Sequence, residues 1–176
     1  GKKMRNREQA GFSTMECLIA LAIFAGLAGV VVPIVSQESY DAMKEEALAD
    51  IDQIATAVNG YIRDTMFYPT GNNGATTYHF LYTEGEIPAN NPLASGPGMP
   101  LDDLLNSCEY GGSGWKGPYL EGIGADPWGN AYIINTQGYF NRTERTIILS
   151  AGPNGVIDTP VTSTYGCEDD LFLLLD

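Results

Sequence analysis

Oxygen donors that could bind a cation are concentrated near the C-terminus. The segment from Ser150 to Asp158 carries hydroxyl, amide and carboxylate oxygens around two glycines, and Glu168, Asp169 and Asp170 follow. Calcium takes six to eight oxygen ligands, and a tight glycine turn lets backbone carbonyls face inward. The segment is therefore a candidate calcium site. The alternative is a solvated acidic loop held by a disulfide.

Two of the three cysteines are candidates for that disulfide. Cys17 lies in an apolar run, whereas Cys108 and Cys167 lie in polar, turn-rich sequence. The export signal described below implies an oxidising compartment, where two such thiols usually pair. We predict a Cys108 to Cys167 bond, and the alternative is two buried free thiols.

Catalysis is not expected from the residue types present. His79 is the only histidine, and no Gly-x-Ser-x-Gly elbow accompanies it. The sequence also has no zinc-type Cys and His spacing and no phosphate-binding glycine loop after a strand. We predict that the protein is not an enzyme and that His79 is a packed or surface residue.

The charge distribution excludes one class of partner. The formal net charge is -13, and the first eleven residues are basic. Removing Lys2, Lys3, Arg5, Arg7 and Glu8 leaves 5 Lys and Arg against 21 Asp and Glu, a net charge of -16. Such a surface repels phosphates, so no nucleic acid partner is expected.

A membrane segment follows the basic residues. The run from Cys17 to Val35 is uncharged, and its 19 residues would span about 28 Å as a helix, close to the thickness of the hydrocarbon core. The basic flank belongs on the cytoplasmic side. A small residue, Gly11, precedes the apolar run, whereas an ordinary secretory signal has its small-residue junction after that run.

Glu16 stands at the head of this uncharged run. A carboxylate there costs several kcal/mol unless it meets a cation. The alternative is that Glu16 lies at the level of the membrane interface and is solvated there. Pro33 interrupts the apolar helix and removes a backbone hydrogen bond.

These features together resemble the leader and N-terminal helix of type IV pilins and pseudopilins. The resemblance implies cleavage by a prepilin peptidase between Gly11 and Phe12, and methylation of the new N-terminus at Phe12. It also implies that Glu16 pairs with the α-ammonium of Phe12 on a neighbouring subunit, and Pro33 matches a further family position. Glu16 and Pro33 are therefore candidate assembly residues.

The helix is expected to continue beyond the apolar run. Apolar residues recur at three- and four-residue steps up to about Arg63, as in an amphipathic helix; they are Met43, Ala47, Ile51, Ile54, Val58 and Ile62. After Asp64, Gly, Pro, Asn and Thr punctuate the chain, which is typical of loops and short strands. One short helix is predicted there over residues 101–105. Four strands are also predicted, over residues 77–82, 132–134, 146–149 and 171–175.

Two tryptophan-containing motifs narrow the resemblance. Residues 114–120 read Gly-Trp-Lys-Gly-Pro-Tyr-Leu, and residues 126–132 read Asp-Pro-Trp-Gly-Asn-Ala-Tyr. Their pairing is similar to the major pseudopilin of type II secretion systems. That resemblance implies an α+β pilin-like fold, with a long N-terminal helix packed on a small antiparallel β-sheet and a loop-rich C-terminal region.

The same resemblance implies a calcium ion in the loop before the last strand. Asn154 stands where the family usually has Asp, Ala151 would offer its carbonyl, and Asp169 or Asp170 matches the later carboxylates. Asp158 is a local candidate only. The insertion over residues 159–166 lengthens the loop relative to the family.

The chain is expected to comprise four parts. They are a basic leader (1–11), a transmembrane and filament-core helix (12–36), its amphipathic half (37–63) and a soluble domain (64–176), in which residues 71–113 form a variable loop region.

The expected function is that of a structural filament subunit, most closely the major pseudopilin of a type II secretion system that exports folded proteins. Its expected partners are further copies of itself, other pseudopilins or minor pilins, an inner-membrane assembly platform and the prepilin peptidase. The expected location is the inner membrane, in a single pass with the soluble domain in the periplasm, followed by a periplasmic or extracellular filament.

Two alternatives stay open at this point. One is the major or minor subunit of a type IV pilus for adhesion or motility, for which the leader residues argue equally well. The other is a membrane-anchored periplasmic module that binds a cation or another ligand.

Overall fold

A computed structural model describes residues 13–70, 78–91 and 96–175, with the backbone alone for residues 26–36. Its first element is the helix α1, Thr14–Thr65, which has Glu16 in its first turn and Arg63 in its last. Both charges suit the helix dipole. Within the described residues no helix has both the length and the hydropathy of a membrane span, and the predicted span includes residues 26–36, whose side chains lie outside them.

The chain divides into two compact units between Asp41 and Ala42, inside α1. The strands that the structure describes all lie in the second unit. They are β1 (Phe80–Tyr82), β2 (Gly98–Pro100), β3 (Ile133–Asn135), β4 (Ile147–Ser150) and β5 (Leu171–Leu174), and the short helix α2 (Leu101–Leu105) follows β2. Single 3-10 turns lie at Gly112–Gly114, Gln137–Tyr139 and Gly152–Asn154.

The five strands form one mixed sheet in the order β2-β1-β3-β4-β5. β1 pairs with β2 in parallel, and the other neighbours pair antiparallel. The prediction of an all-antiparallel sheet is therefore wrong at this edge. The connection over residues 83–97 is longer than the dozen residues that a parallel crossover needs, so the chain can return and run in the same direction.

One face of the sheet packs on the part of α1 that lies in the second unit. Ile51, Ile54 and Val58 of α1 are buried against Ile134 and Ile148 of the sheet. Their spacing confirms the predicted apolar face of the helix. The prediction is wrong at Met43, which is 38% exposed. The α+β class and the short helix over 101–105 are confirmed.

The opposite face of the sheet is covered by a loop rather than by a second helix. Ile133, Ile147 and Leu149 point to this face because side chains alternate along a strand, and they pack with Ile157 and Val161 of the segment between β4 and β5. The long loop that carries the predicted calcium ligands is thus part of the core.

A partly buried hydrogen bond joins the residue just before β3 to α1. The hydroxyl of the fully buried Tyr132 donates to Asp50 Oδ2 over 2.9 Å. Burial, with the neighbouring Asp50 carboxylate, raises the pKa of Tyr132 above its usual range. The tyrosine therefore stays a neutral donor.

We expect Tyr132→Phe to lower the free energy of unfolding by about 1–2 kcal/mol, because it leaves the half-buried Asp50 carboxylate without this donor. Urea unfolding of the full chain in detergent measures the change. Tyr165→Phe is the matched control, since Tyr165 is 70% exposed. Equal unfolding midpoints for the two variants would show that the bond contributes nothing.

The Gly-Trp-Lys-Gly-Pro-Tyr-Leu motif packs against the last turns of α1. The Tyr119 ring meets Tyr61 edge to face, with centroids 5.8 Å apart, and its hydroxyl donates to Asp64 Oδ2 over 3.3 Å. Lys116 Nζ lies 3.4 Å from Asp64 Oδ1. At Gly114 the backbone passes so close to α1 that an added Cβ would lie 2.5 Å from the Asp64 carbonyl oxygen. This close approach explains why residue 114 is glycine, which has no Cβ.

We expect Gly114→Ala to cost about 1–3 kcal/mol of stability, because the backbone must move to admit the methyl group. Gly124→Ala makes the same chemical change where no atom lies within 4 Å of the added Cβ, and it should be close to neutral. Thermal unfolding of both variants tests the contact. A Gly114→Ala midpoint no lower than that of Gly124→Ala would contradict it.

Candidate functional site

The carboxylate of Asp126 organises the turn before β3. It is 3% exposed, and its Oδ1 accepts the backbone N–H groups of Trp128 (3.0 Å) and Asn130 (2.8 Å). Its Oδ2 accepts the hydroxyl of Ser150 at 2.6 Å. Asp126 thereby connects the Asp-Pro-Trp-Gly turn to the end of β4.

Asn130 makes a second connection between the same two segments. Its Nδ2 donates to the Gly152 carbonyl oxygen over 3.0 Å. The Gly152 N–H in turn donates to Ser150 Oγ over 3.1 Å. The motif and the loop after β4 are thus one hydrogen-bonded structure, a connection that the sequence analysis did not predict. The turn itself has a sequence signal, because an Asp side chain can accept the N–H two residues further on, but the contacts with Ser150 and Gly152 have none.

The loop after β4 is closed by Asn154. Its Nδ2 donates to Asp169 Oδ1 (2.6 Å) and to Asp158 Oδ2 (3.3 Å). Its backbone N–H donates to Asp169 Oδ2 over 3.1 Å, and its Oδ1 accepts the Val156 N–H over 2.7 Å. Three of the five predicted calcium residues are therefore brought together.

Asp170 lies in a different environment from Asp158 and Asp169. It is buried, and its Oδ2 accepts the N–H groups of Asp158 (2.9 Å) and Thr159 (2.7 Å). Burial raises the pKa of Asp170, although these hydrogen bonds act in the opposite direction. Its Oδ1 is buried and has no hydrogen-bond partner among the residues that the structure describes. The fifth predicted residue, Ala151, is buried in the core beneath the sheet.

As arranged, these residues do not fit a calcium ion. Calcium needs oxygens directed at one point, but Asn154 presents N–H groups to Asp158 and Asp169, and Oδ2 of Asp170 is already engaged by two backbone N–H groups. Within the described ranges, no group of three or more Asp, Glu, His or Cys side chains is placed to hold a metal.

The predicted disulfide is not formed in the structure. Cys108 is an exposed free thiol and Cys167 is a half-buried one. The Cys167 N–H donates to Thr159 Oγ1 over 2.9 Å, which places it beside the same loop. Pairing of the two thiols in an oxidising compartment stays a prediction.

A second site lies at the start of α1. The Ser13 N–H donates to Glu16 Oε2 over 2.9 Å, and the Met15 N–H donates to Ser13 Oγ over 3.3 Å. This reciprocal arrangement is a capping box, which satisfies N–H groups that a helix leaves unpaired. The predicted cleavage residues Gly11 and Phe12 lie outside the described residues, as does the side chain of Pro33.

Over residues 15–24, large apolar side chains lie on all sides of α1. Met15, Leu18, Ile19, Leu21, Ile23 and Phe24 are between 56% and 71% exposed within the chain. A helix that is hydrophobic all round is normally buried in lipid or protein. Together with the α+β unit that follows, in which α1 packs on a five-stranded sheet, this feature is compatible with the pilin-like class of proteins.

Comparison with known proteins gives the family. The model of the family described as "Type II secretion system (T2SS), protein G" matches residues 97–163. The type II secretion system core protein G of Escherichia coli K12 is 30% identical to this chain over 164 residues. The match covers 93% of this chain and 90% of the relative. The chain therefore belongs to the type II secretion system core protein G family, the major pseudopilins.

Other relatives carry the same description. The core protein G of Pseudomonas aeruginosa is 33% identical over 125 residues, which is 70% of this chain and 88% of the relative. That of Aeromonas hydrophila is 27% identical over 156 residues, which is 89% of this chain and 91% of the relative. The expected family is thus confirmed over most of the chain. No solved structure matches it.

Proposed function

We propose that this chain is the main building block of a pseudopilus, a fibre that grows from the inner membrane and moves folded proteins through an outer-membrane channel. The observation that carries the proposal is the set of exposed apolar side chains over residues 15–24 of α1, in a member of the core protein G family. Six large apolar side chains on one short helix segment require lipid before assembly and neighbouring helices after it. Function then comes from assembly rather than catalysis.

Glu16 supplies the assembly register in this proposal. After cleavage before Phe12, the α-ammonium of one subunit would meet the Glu16 carboxylate of the next, and each helix would bury its apolar surface against its neighbours. The charge pair fixes one axial position among many that apolar packing alone would allow. Other pseudopilins, the assembly platform and the prepilin peptidase are the partners that such a fibre requires.

The soluble unit forms the outer part of the fibre in this proposal and lies in the periplasm. The chain after the leader has 5 Lys and Arg residues against 21 Asp and Glu residues. The soluble units of neighbouring subunits therefore repel one another. Attraction between subunits must therefore come mainly from the helices, because apolar burial does not depend on charge.

A complementation experiment tests this function. In a strain that lacks its own copy, the full chain should restore export of folded proteins, and formaldehyde cross-linking in membranes should give a ladder of oligomers. A helix that serves only as an anchor gives a monomer. Monomer alone, with no restored export, would remove the fibre proposal and leave an anchored binding module.

A further inference from the structure

We infer that the side-chain amide of Asn154 closes the loop before β5 without a metal ion, by donating hydrogen bonds to the two carboxylates that a cation would otherwise bridge. The contacts are those of Nδ2 with Asp169 Oδ1 and Asp158 Oδ2. The inference concerns the stability of the folded soluble unit, and it does not depend on the proposal that the chain assembles into a fibre.

The orientation of the Asn154 amide follows from its other partner. The Val156 N–H points at one end of the amide over 2.7 Å, and a backbone N–H requires an acceptor. Oδ1 must therefore face Val156, which leaves the NH2 group facing Asp158 and Asp169. Turning the amide round would place two donors against each other and the amide oxygen against two carboxylates.

Both oxygens of the Asp169 carboxylate accept hydrogen bonds from Asn154. One oxygen accepts Asn154 Nδ2 and the other accepts the Asn154 backbone N–H. Hydrogen bonds to an ionised acceptor are stronger than neutral ones. The two carboxylates thus have a neutral donor group between them, where a third carboxylate would add repulsion that only a cation could offset.

The backbone brings these groups together independently. Gly152 has a φ of 61° and Gly155 a φ of 67°, which are left-handed values that favour glycine. A Cβ at Gly152 would lie 2.5 Å from the Asp169 carbonyl oxygen. The loop therefore folds directly onto Asp169, which leaves Asn154 within hydrogen-bond range of it.

The first measurement is thermal unfolding of the full wild-type chain in detergent and reducing buffer, followed by tryptophan fluorescence. It is made with calcium at about 1 mM, the level at which weak extracellular sites fill, and again with a chelator. The expected result is the same midpoint in both. A midpoint that rises with calcium by several degrees would overturn the inference, because a ligand bound only by the folded state must raise its stability.

The second measurement uses two substitutions of the same residue. In chelator, Asn154→Ala and Asn154→Asp should each lower the midpoint by roughly 3–6 °C, since both remove the bridging donors. Calcium should raise the midpoint of Asn154→Asp and leave that of the wild type unchanged, because only the aspartate offers a third carboxylate.

Asn59→Asp is the matched control for added charge. Asn59 is exposed on α1, far in sequence from the loop, and its substitution should change the midpoint by about 1 °C or less. If Asn154→Ala unfolds at the wild-type temperature, the amide does not hold the loop and the inference fails. If a variant does not fold, the wild-type midpoints in calcium and in chelator still test whether the loop closes without a metal ion.

Discussion

Replacing Glu16 with Gln should abolish ordered fibres while leaving the subunit in the membrane. Gln can accept the Ser13 N–H in a capping box as Glu does. It has no charge, however, and cannot pair with the α-ammonium of a neighbouring Phe12. The substitution therefore separates a role in starting the helix from a role in setting subunit register.

The measurement compares three variants, Glu16→Gln, Glu16→Ala and Ser13→Ala, each expressed in a strain that lacks its own copy of the protein. Membrane fractionation reports insertion, and electron microscopy of sheared fibres with an export assay reports assembly. Glu16→Ala should fail like Glu16→Gln, whereas Ser13→Ala keeps the charge and should assemble with a helix start weakened by about 1 kcal/mol. Wild-type fibre yield from Glu16→Gln would show that Glu16 acts only as a cap, and the register proposal would then be wrong.

The second large effect is expected at Asp126. Asp126→Ala should lower the free energy of unfolding by about 3–4 kcal/mol, because it leaves two backbone N–H groups and the Ser150 hydroxyl without their shared acceptor. That is a large part of the 5–15 kcal/mol that stabilises a typical domain. The loop after β4 should loosen together with the turn, since Asp126 joins them.

Urea unfolding of the full chain in detergent measures this loss, with Asp52→Ala as control. Asp52 is an exposed carboxylate on α1, and its removal should change stability by about 0.5 kcal/mol or less. A similar midpoint for both variants would mean that the buried Asp126 network does not stabilise the fold.

Much of the fold follows from local pattern. The three- and four-residue spacing of Ile51, Ile54 and Val58 predicts the buried face of α1, and the isoleucine and leucine runs predict β3, β4 and β5 within one or two residues. In each case burial of apolar side chains decides both the local structure and the packing. Strand β2 was not predicted, because Gly98-Met99-Pro100 has no β-branched residue and is a strand only through its parallel pairing with β1.

The candidate site was less predictable for a related reason. Sequence shows how many oxygen donors a loop has but not their direction. Asn154 carries an acceptor and a donor on one side chain, and only the position of the Val156 N–H decides which of them meets the carboxylates. Likewise, Asp126 precedes β3 and Ser150 is the last residue of β4, so that their contact depends on the register of that strand pair.

The loop between β4 and β5 behaves as a layer of the protein rather than as an appendage. Since Ile157 and Val161 cover Ile133, Ile147 and Leu149, the loop cannot swing open without wetting one side of the sheet. Backbone amides of β4 and of the loop should then exchange with solvent through the same cooperative opening, as one foldon. A segment with that property is unsuited to act as a movable lid, and added sequence is accommodated best at its exposed residues, Thr162 and residues 164–166.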